Sequence, residues 1–431
     1  MSVAASKYEG KLVRHGLLLV ILNGIANVAN VAFHMVMGRA LTGDQYGILA
    51  ALLNLMLVLA TPLDALRNAM AHFAARAHRL ESPALARAIA RRWCIRIGLL
   101  AAPAGVGLWL LRGTVADFFH LANPAPIIVV SVFLPAFMLL PVLAGILQGL
   151  QCFWWFGGIV HGVSLLRLAL GWSAVALIAA TAYHAVLAQG IAMMAGAVTA
   201  FFAVGWVTRG SRGRVEATRG IGPYFLKAML MLAGYGVLMN SDVMLVRHFH
   251  PESAGEFAWA ATIGRSVVFL PMPIAMAMFP KVISAGTASR SSRLTALKAL
   301  GLVAGMIAAG VAVSLIWPWL PLLILYGVKD PSPALEHLVR MVILAMSPLG
   351  ISYLLLNFEM AQHRFRTVPW LLALAAAYIG GVWLWHPSVL AIVAVLGAAA
   401  TASAALYVWE MLRSGSARPA DAARPARRPN G

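Results

Sequence analysis

Residues 38–92 read GRALTGDQYGILAALLNLMLVLATPLDALRNAMAHFAARAHRLESPALARAIARR. A short polar stretch with one arginine, Arg39, leads into an apolar run at 47–68, and arginines crowd the residues from Arg67 onward. A helix needs roughly 20 mostly apolar residues to cross a bilayer. Lys and Arg that flank such a run stay on the cytoplasmic side. The stretch therefore reads as an outside loop, one span and a basic inside connection.

The unit recurs along the chain. Apolar segments fall at 15–37, 47–68, 93–112, 127–147, 160–181, 186–207, 224–246, 257–280, 297–317, 338–360, 368–385 and 388–411. The whole chain is 61% hydrophobic and 11% charged, with a mean hydropathy of +0.83. A soluble domain carries about twice that charge fraction. The runs lack the two-residue alternation of barrel strands, which leaves helices to satisfy the backbone in lipid. The expected fold class is an all-α membrane protein of about 12 transmembrane helices.

A net charge of +19 invites a nucleic-acid reading, but its distribution argues otherwise. Of 33 Lys and Arg, 26 fall in alternate connections, counting the N-terminus as inside. Four, Arg39, Arg112, Arg247 and Lys329, fall in the other loops, and Arg167, Arg265 and Arg340 lie within spans. That asymmetry is what insertion requires of any multispanning chain. It places both termini in the cytoplasm and implies no nucleic acid. Tryptophan agrees: only Trp172 falls mid-span, and the others sit near span ends, where indole favours the interface.

Cys94 and Cys152 both map to the cytoplasmic side, so no structural disulfide is expected. The first apolar segment follows Lys7, Lys11 and Arg14 as a signal peptide would. Its length and its Asn23, Asn27 and Asn30 mark it as an uncleaved span. The expected organisation is a cytoplasmic N-terminus at 1–14, six spans at 15–207 and an inside linker at 208–223. Six further spans at 224–411 precede a disordered basic tail at 412–431. The long inside stretch 67–92 is expected to extend the second span and then run along the membrane surface. The halves align weakly, Pro62 on Pro271 and Ala51 on Ala260, as a parallel repeat would.

No nucleotide-binding loop, HExxH, CxxC, GxSxG or histidine cluster occurs. No catalytic residue, metal or cofactor is expected, and the chain reads as no enzyme. His15, His34, His72 and His78 fall near span ends and read as interfacial.

Charge inside a span costs roughly 2.5–3.5 kcal/mol on insertion scales, so it is kept for a bundle interior or a wet cavity. Four residues stand out: Asp64, Arg167, Asp242 and Arg265. Asp242 and Arg265 fall at similar depth on adjacent spans and would pair. The arginines are candidates for binding an anionic head group. Asp64 and Asp242 are candidates for pairing with them or binding a coupling ion, although Asp64 also lies near Arg67. Asn23, Asn27 and Asn30 share one helix face. With Asn240 they would hydrogen-bond between helices or line a sugar path. Pro62, Pro135, Pro141, Pro271, Pro273 and Pro348 interrupt spans as candidate kinks.

The segment NSDVMLVRHFHPESAGEFAWAATIGRSVVFLPMPIAMAMFPKV (240–282) resembles the seventh and eighth spans of polysaccharide-export (Wzx-type) flippases. These are members of the superfamily that contains the MATE exporters. The matching residues include Asn240, Asp242, Arg247, Gly255, Phe257, Gly264, Arg265, Phe269, Pro271 and Pro280. Residues 38–76 are similar to that family's first outside loop and second span. The resemblance implies a MATE-like fold of two six-helix lobes around a central cavity that opens alternately to each side without ATP. It implies a lipid-linked oligosaccharide as substrate, commonly on a polyprenyl diphosphate, and a multi-pass protein of the bacterial inner membrane. Other polysaccharide-assembly membrane proteins would then be candidate partners. Two other readings stay open: a cation-coupled multidrug exporter of the MATE type, and a non-transporting scaffold for glycan synthesis.

Overall fold

The computed structural model describes residues 2–80, 82–209, 222–269 and 290–413. Among them the chain forms α1 (Ser2–Ala40), α2 (Gly43–Arg79), α3 (Pro83–Leu110), α4 (Arg112–Phe118) and α5 (Ala125–Gly149). Next come α6 (Phe153–Leu177), α7 (Ala182–Val207), α8 (Gly222–Asn240), α9 (Asp242–Phe249) and α10 (Ala254–Phe269). The last five are α11 (Arg290–Ile316), α12 (Trp319–Tyr326), α13 (Pro333–Ala361), α14 (Val368–Leu384) and α15 (Val389–Arg413). Among the described residues, nine helices are long and apolar enough to cross a membrane, or ten with α8 and α9 counted as one bent span. The shorter apolar α14, and α10, which reaches the edge of the described residues, follow the two remaining apolar runs.

Helix starts follow local chemistry. Thr42, Thr181 and Ser332 each accept a hydrogen bond from a backbone N–H of the first turn of α2, α7 and α13. Pro333 at the first position of α13 costs nothing, because that N–H has no helical partner. α12 stops at Gly327, whose φ of 72° suits a residue without Cβ.

Burial separates central helices from flanking ones. α2, α5 and α13 each bury 61% of their most apolar window, whereas α3 and α6 bury 17% and 22%. α5 packs against α2, α3 and α7, and α13 against α10, α11 and α15. Helices α1–α7 and α8–α15 meet mainly where α2 lies against α8, α9 and α10. The two segments aligned by the internal repeat thus pack on each other. A Cβ on Gly47 would stand 3.0 Å from the Ala254 side chain and the Gly255 backbone. Side chains such as Leu99, Leu177, Phe202 and Leu384 stay exposed. Apolar surface on that scale suits contact with lipid. Trp172, the one mid-span tryptophan, is 58% exposed.

Two expectations change. α2 extends the second span as far as Arg79, but no separate surface helix follows it. Residues from Pro83 onward belong to the same helix as the third span. The seventh span is broken at Ser241, where α8 and α9 bend by 46°. That break contains no proline, and Pro62, Pro135, Pro141 and Pro348 lie inside unbroken helices. The kinks expected at Pro271 and Pro273, most of the linker (210–221) and the tail from 414 lie outside the described residues. Cys94 and Cys152 are free.

Candidate functional site

Arg167 lies on α6 and points at α1 and α7. Its Nη2 donates to Asn30 Oδ1 at 2.8 Å and its Nη1 to Gln189 Oε1 at 2.9 Å. The guanidinium carbon sits 4.2 Å from the ring centroid of Phe33. Among the described residues no carboxylate neutralises it, so its partners are two neutral amides and an aromatic face. Such a site keeps its positive charge available to an anion. Asn27 lies one turn from Asn30 on the same face of α1 and is exposed.

Asp64 is not Arg167's partner. It pairs with Arg67 at 3.3 Å, three residues along its own helix, with 52% of its side chain exposed. An i, i+3 pair that open to solvent is worth well under about 1 kcal/mol.

Asp242 and Arg265 do pair, and the break in the seventh span explains their placement. A helix end leaves carbonyls without next-turn donors. Arg265, on α10, turns its Nε and Nη2 to the Met239 carbonyl at 3.2 and 3.1 Å and also bonds Asp242. Asp242 opens α9, where a negative charge faces the positive end of the helix dipole. Asn240 donates back to the Gly236 carbonyl at 3.0 Å. Asp242 is fully buried and Arg265 is 7% exposed. The pair fastens a discontinuous helix, and Arg265's charge is balanced where Arg167's is not.

A polar cluster joins the halves above this pair, toward the face opposite the basic connections. The Tyr46 hydroxyl contacts the Tyr326 hydroxyl at 3.2 Å, Thr262 Oγ1 at 3.5 Å and His34 Nδ1 at 3.1 Å. Trp259 stacks on Tyr326 at 5.3 Å. His34 is therefore no interfacial residue but part of the joint between the halves. Gly38 makes room for the Tyr326 ring, which a Cβ there would meet at 2.3 Å.

Further out, Arg247 is 2% exposed although it counted as a loop cation in the sequence. It donates to Asp44 Oδ1 at 2.5 Å and to the carbonyls of Phe119, His120 and Pro251 at 2.8, 3.1 and 3.3 Å. Arg39 donates to the Ile324 and Leu325 carbonyls at 2.6 and 3.2 Å. The described cross-half hydrogen bonds thus gather at one face.

Gln189, Tyr46 and Arg247 were missing from the sequence-derived site. Gln189 carried the same signal as the asparagines, a carboxamide in an apolar run. Nothing local to Tyr46 or Arg247 distinguishes them from interfacial residues.

No protein-family model matches the chain, and no curated protein does. Solved structures do. An inward-facing conformation of a multidrug resistance MATE family transporter of the MOP superfamily aligns with a TM-score of 0.73 and 11% identity. The alignment covers 92% of this chain and 98% of that one. The fold is that of the MATE-like transporters. The lipid II flippase MurJ in an inward closed conformation shares this MATE-like fold at a TM-score of 0.65 and 11% identity, over 93% of this chain and 90% of that one. A MOP superfamily transporter from Pyrococcus furiosus, described as having a binding pocket of reverse polarity, aligns at 0.62 and 13% identity, over 94% and 95%.

Proposed function

We propose that the chain translocates an anionic, lipid-linked oligosaccharide across a bacterial inner membrane by alternating access. The observation that carries this reading is Arg167: a cation in the first half, held by Asn30 and Gln189 and balanced by no carboxylate among the described residues. A diphosphate head group supplies the missing negative charge through charge-assisted hydrogen bonds. The flanking amides suit hydroxyl-rich sugars. The MATE-like fold, a lipid-flippase neighbour and the resemblance of residues 240–282 to polysaccharide-export flippases support the same class.

On the positive-inside pattern, the face where the described cross-half hydrogen bonds gather is the outer one. Arg265, sealed against Asp242 and Met239, takes part in binding only if the halves rearrange. The multidrug alternative needs a carboxylate free to meet a cation. Asp242 is buried against Arg265, and Asp64 has Arg67 beside it, which favours the anionic substrate.

The test is complementation of surface-glycan export by Arg167→Ala and Arg167→Lys at matched protein levels. Loss of export in the alanine variant, with partial retention by lysine, is expected. Full export by Arg167→Ala removes the head-group role. Drug sensitivity of the deletion strain with glycan display intact would transfer the assignment to multidrug export.

A further inference from the structure

On the basic face, far from Arg167, three helix ends of the second half converge. Glu359 lies in the last turn of α13, Thr367 immediately precedes α14, and Tyr407 and Glu410 lie near the end of α15. All four are buried, at 4%, 2%, 0% and 6% exposure. Both carboxyl groups are therefore almost closed to water, on two helices, α13 and α15, that pack on each other, and the charge of Glu410 bears on Glu359.

The hydrogen bonds there are lopsided. Thr367 Oγ1 donates to Glu359 Oε2 at 2.5 Å. Thr367 stands where a helix cap would, yet its hydroxyl makes no capping bond to α14 and is given to Glu359 instead. Glu359 Oε1 and the Tyr407 hydroxyl are buried with no partner. The Tyr407 hydroxyl lies close to Thr367, and the charge of Glu359 bears on it. Arg364, in the loop between α13 and α14, is the nearby cation, half-buried and acting on Glu359 more weakly than Glu410 does. Tyr224, from the start of α8, holds this loop from outside: its hydroxyl donates to the Met360 carbonyl at 3.3 Å and its ring packs on His363 and Phe365.

Two buried carboxylates on adjoining helices are costly to keep charged together. One proton relieves both the burial and the repulsion. We infer that Glu359 and Glu410 form a proton-binding pair on the basic face, with Glu359 Oε1 as the protonated atom. Water of that compartment supplies the proton, which adds to the Oε1 carboxylate lone pair. The neutral Oε1–H costs less to bury than a charged oxygen with no partner. Thr367 keeps its bond to Oε2 in both states, and deprotonation returns the proton to the same water. No other group is oxidised, reduced or transferred.

The site uses neither Arg167 nor any substrate, so its test is independent of the transport reading. The full chain in liposomes is followed by infrared difference spectroscopy from about pH 5 to about pH 9, a window lying above ordinary glutamate titration near 4.3. A protonated-carboxyl C=O stretch that disappears within this window is expected in the wild type. It should be absent in Glu359→Gln and unchanged in Glu336→Gln. Two variants that retain Glu359 carry the inference should Glu359→Gln fail to fold. Glu410→Gln removes a negative neighbour and should lower the midpoint by about one pH unit. Thr367→Val removes a donor to the carboxylate and should raise it. Wild-type spectra lacking the band, a Glu359→Gln spectrum superimposing on wild type, or unmoved midpoints in both neighbour variants would overturn the pair.

Discussion

Asp44 and Arg247, 203 residues apart, meet at 2.5 Å at the outer edge of the joint between the two halves. The partners are unequal: the Arg247 side chain is 2% exposed and that of Asp44 is 60% exposed. Arg247 also supplies the donors for three backbone carbonyls on the loop after α4 and at the end of α9. Losing the buried partner is therefore far costlier than losing the exposed one. Arg247→Ala should destabilise the fold by about 1–3 kcal/mol for each buried carbonyl left without a donor, whereas Asp44→Asn should cost under about 1 kcal/mol. Thermal unfolding in detergent measures the difference. Equal effects would mean that the carboxylate, not the carbonyl set, holds the joint.

The same joint lies at the face that the positive-inside pattern assigns to the outside. Ala258 lies behind it at 0% exposure. With Cys94 and Cys152 replaced, Ala258→Cys should react slowly with a membrane-impermeant thiol reagent applied from outside. Adding Arg247→Ala should speed labelling by about tenfold, the factor that corresponds to 1.4 kcal/mol of the lost closure energy. An unchanged rate would show that the Tyr46–Tyr326 layer closes this face alone.

Close backbone approach makes a separate prediction. A Cβ on Gly255 would meet the Gly43 carbonyl oxygen at 2.2 Å, and backbone cannot swing aside as a side chain does. Gly255→Ala should force α2 and α10 apart and raise Ala258→Cys labelling. Gly43→Ala should do neither, because nothing lies within 4 Å of the Cβ it would add. Similar labelling in both variants would locate the closure elsewhere.

Arg167 and Arg265 should separate in function. Removing Asn30 or Gln189 as a partner of Arg167 (Asn30→Leu, Gln189→Leu) loses a charged hydrogen bond, worth about 1.5–3 kcal/mol. Export should fall roughly 10- to 100-fold at unchanged protein levels. Arg265→Ala strands a fully buried Asp242 and should instead lower protein level and thermal stability. Restoring stability with Arg265→Ala plus Asp242→Asn would assign that pair to the broken helix. If Arg265→Ala were stable and inactive, the pair would belong to the substrate path.

Much of the architecture was legible because membrane insertion writes it into the chain. Lipid must be met by apolar runs about 20 residues long, and lipid-facing surface needs no particular partner. α5 and α7 lie close to the runs read for them, and the chain has the MATE-like fold that its resemblance implied. Asp242 and Arg265 were also legible as a pair, since both break an apolar pattern at one depth.

Residues that act through distant neighbours were not legible. Arg247 reads as an ordinary loop cation until the loop after α4 folds over it. His34 reads as interfacial until Tyr46 arrives beside it. Asp64 and Arg167 looked like complementary charges, but local geometry gave Asp64 to Arg67, one turn away, and left Arg167 to two amides. The amino-acid sequence by itself determined that the chain is a series of long apolar helices and which connections are basic, because transfer from water to lipid depends on local composition. Only the tertiary structure decided which buried charges are neutralised, because that depends on angstrom-scale distances between helices far apart in the chain.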